Sequence, residues 1–187
     1  MRQMDELRSE TVGLAHGDVL EVGFGTGLNL RHYGPNVRSL VAFDPLARTH
    51  AVVEERMAAA RFPIERHTEP VRDALPFETG RFDCVVTTWT LCSIREPLGA
   101  LREMRRVLKP GGLYLFVEHG RSDDTRTAGW QDRLNPYWRR FADGCNMNRP
   151  IDQLVSESGF ELDVARFRGQ GPRVLAEMYR GAARRPD

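Results

Sequence analysis

The segment Val19-Leu20-Glu21-Val22-Gly23-Phe24-Gly25-Thr26-Gly27, answered by Val41-Ala42-Phe43-Asp44, constrains this chain more than any other feature. A short apolar run reads as a buried strand, and the glycine cluster forces a tight turn out of it. Glycine is required where a Cβ would block a ligand from the backbone. Asp44 ends the next apolar run, seventeen residues after Gly27. An acid at the tip of a second parallel strand can accept both hydroxyls of a ribose. Glu21, inside the first strand, puts a second acid just ahead of the glycines. Together these residues describe a site for a nucleoside cofactor.

The spacing narrows the nucleoside. A dinucleotide fingerprint is G-x-G-x-x-G, with its pyrophosphate on a helix N-terminus. Here it is G-x-G-x-G with an acid upstream, which would repel a pyrophosphate and favour a cationic ligand. The remaining pattern predicts alternating strands and helices. It places a short helix in 1–14, a strand over 18–23, a helix from Gly27, a strand ending at Asp44, a helix around 46–60 and a weak strand over 63–67. A fourth strand follows over 81–86, then a helix over 96–108, whose apolar face is Leu98, Leu101, Met104 and Leu108. Lys109-Pro110-Gly111-Gly112 stops that helix, and 113–118 is a fifth strand. The last two strand patterns, 160–167 and 173–180, are joined by Phe167-Arg168-Gly169-Gln170-Gly171-Pro172. That loop is too short for a crossover helix, so the pair is expected as a hairpin. The predicted fold is α/β: one Rossmann-like, mostly parallel seven-stranded sheet with a C-terminal antiparallel hairpin and helices on both faces.

Composition excludes more than it selects. A chain of 187 residues with 41% hydrophobic content suits one domain over 1–187. A net charge of +1 makes no case for a nucleic-acid partner. There is no membrane-length apolar stretch and no signal-peptide core, so a cytoplasmic location is expected. Of the 27 basic residues only Lys109 is lysine, a mark of a GC-rich bacterial genome. Cys84, Cys92 and Cys145 lack metal-type C-x-x-C spacing, which argues against structural zinc and against a disulfide framework. Trp130, Leu134, Trp138 and Phe141, with Tyr137, have helical spacing. They are expected to pack in the core, with part of the stripe available to line an apolar acceptor pocket.

The acid-led Glu21-Val22-Gly23-Phe24-Gly25-Thr26-Gly27 segment, the Leu-Pro-Phe segment at 75–77, the Phe-Asp-x-Val-Val strand and Leu108-Lys109-Pro110-Gly111-Gly112 resemble the class I S-adenosylmethionine-dependent methyltransferases. Four further segments are similar to the methyltransferase-like-seven, or alkyl-thiol methyltransferase, subgroup and its bacterial relatives. They are Gly25-Thr26-Gly27-Leu28-Asn29, Thr90-Leu91-Cys92-Ser93-Ile94, Val117-Glu118-His119 and Asp143-Gly144-Cys145-Asn146. The resemblance implies S-adenosylmethionine as cofactor and S-adenosylhomocysteine as product. It implies that Gly23, Phe24, Gly25 and Gly27 line the methionine and ribose part with Glu21 behind them. Asp44 would bind the ribose diol and Pro45 pack near the adenine. Val71 and Arg72 would reach the adenine edge, where Val71 replaces the usual acid and Asp73 or Glu69 could compensate. Thr88 and Trp89 would border the cofactor. The 120–150 helical segment would be the substrate side, with the short N-terminus a reduced cover.

His119, after strand five, is a candidate to take a proton or orient a substrate, or else a strand-end histidine bonded to backbone. Asp143 is the second candidate catalytic residue, with a helix-end structural acid as its equal alternative. The expected acceptor is a small, fairly apolar molecule, best a thiol. Lipid-amine N-methyl or quinone-ring C-methyl transfer is the alternative. From other classes, an NAD-dependent oxidoreductase and a non-catalytic cofactor-binding module stay open.

Overall fold

In a computed structural model of the chain, described for residues 2–44, 51–68 and 74–187, seven strands form one sheet in the order β3-β2-β1-β4-β5-β7-β6. The elements are α1 (Arg2–Val12), β1 (Gly17–Val22), β2 (Val37–Phe43), α2 (Ala51–Ala58), β3 (Ile64–His67), β4 (Phe82–Thr88), α3 (Pro97–Val107), β5 (Leu108–His119), α4 (Thr125–Phe141), α5 (Ile151–Glu157), β6 (Glu161–Arg168) and β7 (Glu177–Arg184). Strands β1 to β5 pair in parallel, whereas β7 runs antiparallel to both β5 and β6. The expected mostly parallel sheet with a terminal hairpin is therefore the fold.

Strand alternation sorts the core onto the two faces. Leu20 and Val22 of β1 join Leu101, Met104 and Val107 of α3 and Ile151 and Val155 of α5. Val19 points the other way, with Val12 of α1, Phe24 and Val53 of α2. Glu21 shares Val19's face by the same two-residue period, which turns its carboxylate toward the α1 side.

Three local expectations are corrected. The segment after Gly27 holds no α-helix, only a three-residue 3₁₀ turn, Leu30–His32. Gly34-Pro35 follows too soon for a helix to propagate, and Asn29 is drawn inward to Glu21. The second hairpin strand starts four residues later than expected, because Leu175 N–H bonds Pro172 O and lengthens the turn. The Lys-Pro-Gly-Gly turn is a bulge within β5, where the register jumps from Phe82↔Leu108 to Cys84↔Leu113.

The aromatic stripe is the fourth correction. Trp130, Tyr137 and Phe141 are 49%, 68% and 86% exposed, and Leu134 is exposed with them. The inward face of α4 is instead polar: Thr127, Gln131 and Asn135 are buried with Ala128. Gln131 alone explains much of this preference. Its amide N–H groups reach the carbonyls of Gly120, Met147 and Val174, and its Oε1 accepts from Ser122 N–H. Satisfying loop backbone groups outweighed burying rings here.

Candidate active site

The glycine loop lies at the carboxyl end of β1, where open parallel sheets hold ligands. Gly23 has φ 80°, and a Cβ there would stand 2.1 Å from Thr90 Oγ1. Gly25 has φ 56° and only a backbone oxygen at 4.0 Å from such a Cβ, so its surface is open. Gly27, at φ 71°, packs against Phe24 and Leu30. Phe24 itself is buried in the core, leaving its backbone to shape the loop. Asp44 Oδ2 accepts the Gly25 N–H at 2.6 Å, tying the tip of β2 to the loop.

Beneath the loop is a buried polar cluster. Glu21, 1% exposed, accepts from Asn29 Nδ2 at 2.9 Å and from the Tyr33 hydroxyl at 2.7 Å. Burial pushes its pKa up to about 7 against the pull of those two bonds and of Arg8. Arg8, from α1, donates to Asn29 Oδ1 at 2.6 Å and to Thr88 Oγ1 at 2.8 Å, and its guanidinium lies 4.6 Å over the Trp89 ring. The N-terminal helix therefore reaches the site through this arginine and through Leu7, which is buried with Val117 where Trp89 packs. Trp89 is held at φ 52°, a left-handed conformation at the end of β4, with its N–H on Val117 O. Strain of this kind concentrates at functional sites.

A second group gathers past the ends of β4 and β5. The buried Glu118 carboxylate accepts the N–H groups of Thr90 at 3.0 Å and Leu91 at 2.9 Å, fixing the segment that carries Cys92. Its pKa is raised by burial. Cys145 Sγ is 3.3 Å from His119 Nε2. The Cys92 thiol beside Cys145 draws the Cys145 pKa well down, with His119 adding to the pull. Burial works to lower the His119 pKa, but the Cys145 sulfur outweighs it and the net direction is up. Asn146 binds the Cys92 carbonyl through both its N–H and its side chain, each at 2.9 Å.

The structure thus brings together Glu21, Gly23, Gly25, Asp44, Thr88 and Trp89, with His119 on the neighbouring strand end. Asp143 is separate. It is exposed, with φ 45°, and forms the left-handed turn with Gly144 that leads α4 into Cys145. The geometry gives it a turn role. Pro45, Val71 and Arg72, like Glu69 and Asp73, lie outside the described residues. Sequence reasoning missed Arg8, Asn29, Tyr33, Glu118 and Asn146. Asn29, Glu118 and Asn146 stood in the segments that carry the subgroup resemblance, which was the available signal for them; Arg8 and Tyr33 had none.

Where a pyrophosphate would need a helix N-terminus, the chain has the single 3₁₀ turn. The residues present fit an adenosylmethionine instead: an open glycine surface, an acid at the tip of β2 and a buried acid below.

Comparisons with known proteins agree. Human thiol S-methyltransferases TMT1B and TMT1A are 38% and 34% identical to this chain over 87% and 76% of its length. The chain spans 66% and 59% of those two relatives. A phosphatidylethanolamine N-methyltransferase of Cereibacter sphaeroides is 34% identical, over 78% of this chain and 71% of its own. Among solved structures, N-methyltransferase NodS of Bradyrhizobium japonicum, in complex with S-adenosyl-L-homocysteine, shares the fold. Its TM-score is 0.69 at 18% identity, covering 100% of this chain and 87% of that one. A family model described as a methyltransferase domain matches residues 2–164. With that match running from α1 into β6, the chain belongs to the methyltransferase-domain family.

Proposed function

We propose that this chain methylates a small thiol, with S-adenosylmethionine as donor. Support comes from the named human relatives and from the sulfur- and imidazole-lined end of β4 and β5. The single observation that carries the reading is that Cys92, His119 and Cys145 converge there. When bound, S-adenosylmethionine supplies a methyl group on an electrophilic sulfonium. Asp44 and the Gly25 surface would hold its ribose, Gly23 and Gly27 would shape the loop, and Thr88 and Trp89 would form the wall beside it. Arg8 stacks over Trp89 and would brace that wall, and Glu21 holds the loop from below. A thiol with pKa near ~8.5 is partly ionised at neutral pH. It needs alignment and desolvation more than a strong base, and alignment alone can supply roughly 7–11 kcal/mol.

The test is transfer of labelled methyl from S-adenosylmethionine to a small alkyl thiol by the purified protein. Turnover is expected; no transfer in a sample that binds the cofactor would remove the thiol reading. In the same assay His119→Ala should lower kcat while leaving cofactor affinity intact, and an unchanged kcat takes His119 out of the mechanism. Asp44→Ala should weaken cofactor binding by about 10- to 100-fold, the worth of roughly 1.5–3 kcal/mol for a charge-assisted hydrogen bond. Calorimetric titration reads it, and equal affinities would contradict the ribose assignment.

Lipid amine methylation is the second reading, favoured by the similarity to the Cereibacter enzyme. Arginine-dominated basic usage supports a bacterial source, and a cytoplasmic location accords with it. Among the described residues no helix is long and apolar enough to cross a membrane.

A further inference from the structure

Three segments distant in sequence deliver a compact set of borderline and soft ligands. Cys92 Sγ, Cys145 Sγ and a ring nitrogen of His119 all lie within 4.8 Å of one another. In a tetrahedral zinc site, with Zn–S about 2.3 Å and Zn–N about 2.0 Å, sulfur and nitrogen ligands stand roughly 3.5 Å apart. Cys145 Sγ and His119 Nε2 are already at 3.3 Å. Small side-chain rotations would close the set around one cation.

The scaffold is built to hold that arrangement. Glu118 fixes the Cys92 segment through backbone N–H groups, and Asn146 clamps the Cys92 carbonyl to the residue after Cys145. Asn135 holds Asn146 in turn, Nδ2 to Oδ1 at 3.2 Å. The Trp138 indole N–H is buried without a full hydrogen bond and is close enough to influence the Cys145 sulfur. An N–H beside a ligating sulfur is a common outer partner of a metal thiolate. Both sulfurs are buried and His119 is half-buried.

We propose that Cys92, His119 and Cys145 bind a zinc-type divalent cation through three ligands, leaving its fourth position to the sulfur of the acceptor thiol. Three protein ligands with one open position is the pattern of catalytic zinc, whereas structural sites are closed by four. Cation binding releases the Cys92 and Cys145 thiol protons to water; the acceptor sulfur then displaces a water from the fourth position, forming a metal–sulfur bond as its own proton leaves to water. The cation holds the acceptor as a desolvated thiolate at the carboxyl edge of the sheet. The fourth-ligand half of this inference rests on the thiol reading; the three-ligand half does not.

The test is a Co2+ titration of the reduced, chelator-stripped chain without S-adenosylmethionine. One Co2+ per chain should bind with a thiolate-to-cobalt charge-transfer band and tetrahedral visible bands, both bleached by Zn2+. A small alkyl thiol should raise the charge-transfer intensity about 1.5-fold, as two sulfur ligands become three. Cys92→Ser and Cys145→Ser should each lose the band while still binding S-adenosylmethionine. If Cys145→Ser does not fold, Cys92→Ser carries the same test, and His119→Ala should instead shift the tetrahedral visible bands and weaken Co2+ binding. A wild-type chain without the band, or a band unchanged in the folded variants, overturns the proposal. Absent cobalt binding with intact thiol methylation overturns the metal site alone and leaves the thiol reading standing. A cobalt spectrum that no thiol alters, in a chain that methylates only amines or carbon, overturns the thiol reading and the fourth-ligand assignment with it.

Discussion

Gly23→Ala is expected to cost about 3 kcal/mol of stability and to reduce S-adenosylmethionine affinity more than ~100-fold. Two effects add at this position. A φ of 80° is unfavourable for any residue with a side chain, and the new methyl would stand 2.1 Å from Thr90 Oγ1. Thr90 has little room to yield, because its N–H is held by Glu118 and its hydroxyl by the Thr88 carbonyl. The strain would pass directly into the segment bearing Trp89 and Cys92. Gly25→Ala is the comparison, since among the described residues nothing crowds its Cβ. Its stability should fall by about 1 kcal/mol, from the left-handed conformation alone, while cofactor affinity falls as steeply as for Gly23→Ala. Denaturant unfolding and calorimetric titration separate the two. Equal losses of stability would show that Gly25 is a turn glycine and not a contact surface.

Glu21→Gln should remove a pH dependence worth about 3 kcal/mol. The folded carboxyl titrates at about 7, against 4.5 when unperturbed, because it is buried. A raised carboxyl pKa means the folded state holds the proton more tightly. Its stabilising contribution is complete below pH 4.5 and is lost as pH rises through 7. At about 1.4 kcal/mol per unit, the 4.5-to-7 interval sets the size of the effect. Glutamine can still accept from Asn29, and the Tyr33 hydroxyl can reverse its role toward the new amide. Urea unfolding of both proteins between pH 4 and 8 should show the difference between variant and wild type growing in favour of glutamine. Parallel curves across that range would mean Glu21 is not the titrating group.

The two predictions concern residues legible in different ways. Gly23 declared itself through local chemistry: a glycine between an apolar strand and a turn has few explanations. The parallel sheet was equally legible, since buried strands and glycine turns repeat at short range. Asp44 was readable for the same reason, as an acid closing an apolar run. The absence of a helix after Gly27 was a matter of length, decided by Gly34-Pro35 and by the inward pull of Glu21 on Asn29.

The rest depended on contacts between distant segments. Periodicity in α4 marks which residues share a face, but not which face turns inward. Loop carbonyls needing Gln131 and the Met147 N–H needing Asn135 decided that, and Trp130, Tyr137 and Phe141 went outward. Arg8 carries no signal in a polar N-terminus, yet it bridges Asn29 and Thr88 across the sheet end. The cysteines show the limit most clearly. Ligand spacing is informative when one loop supplies the ligands, and Cys92, His119 and Cys145 come from two loops and a strand end. Local pattern settled the strands, the glycine loop and the two strand-tip acids, because those follow from backbone sterics and burial period. Only the packed sheet could set a thiol of one crossover against an imidazole of the next, because the polar clamps that place them are satisfied in three dimensions alone.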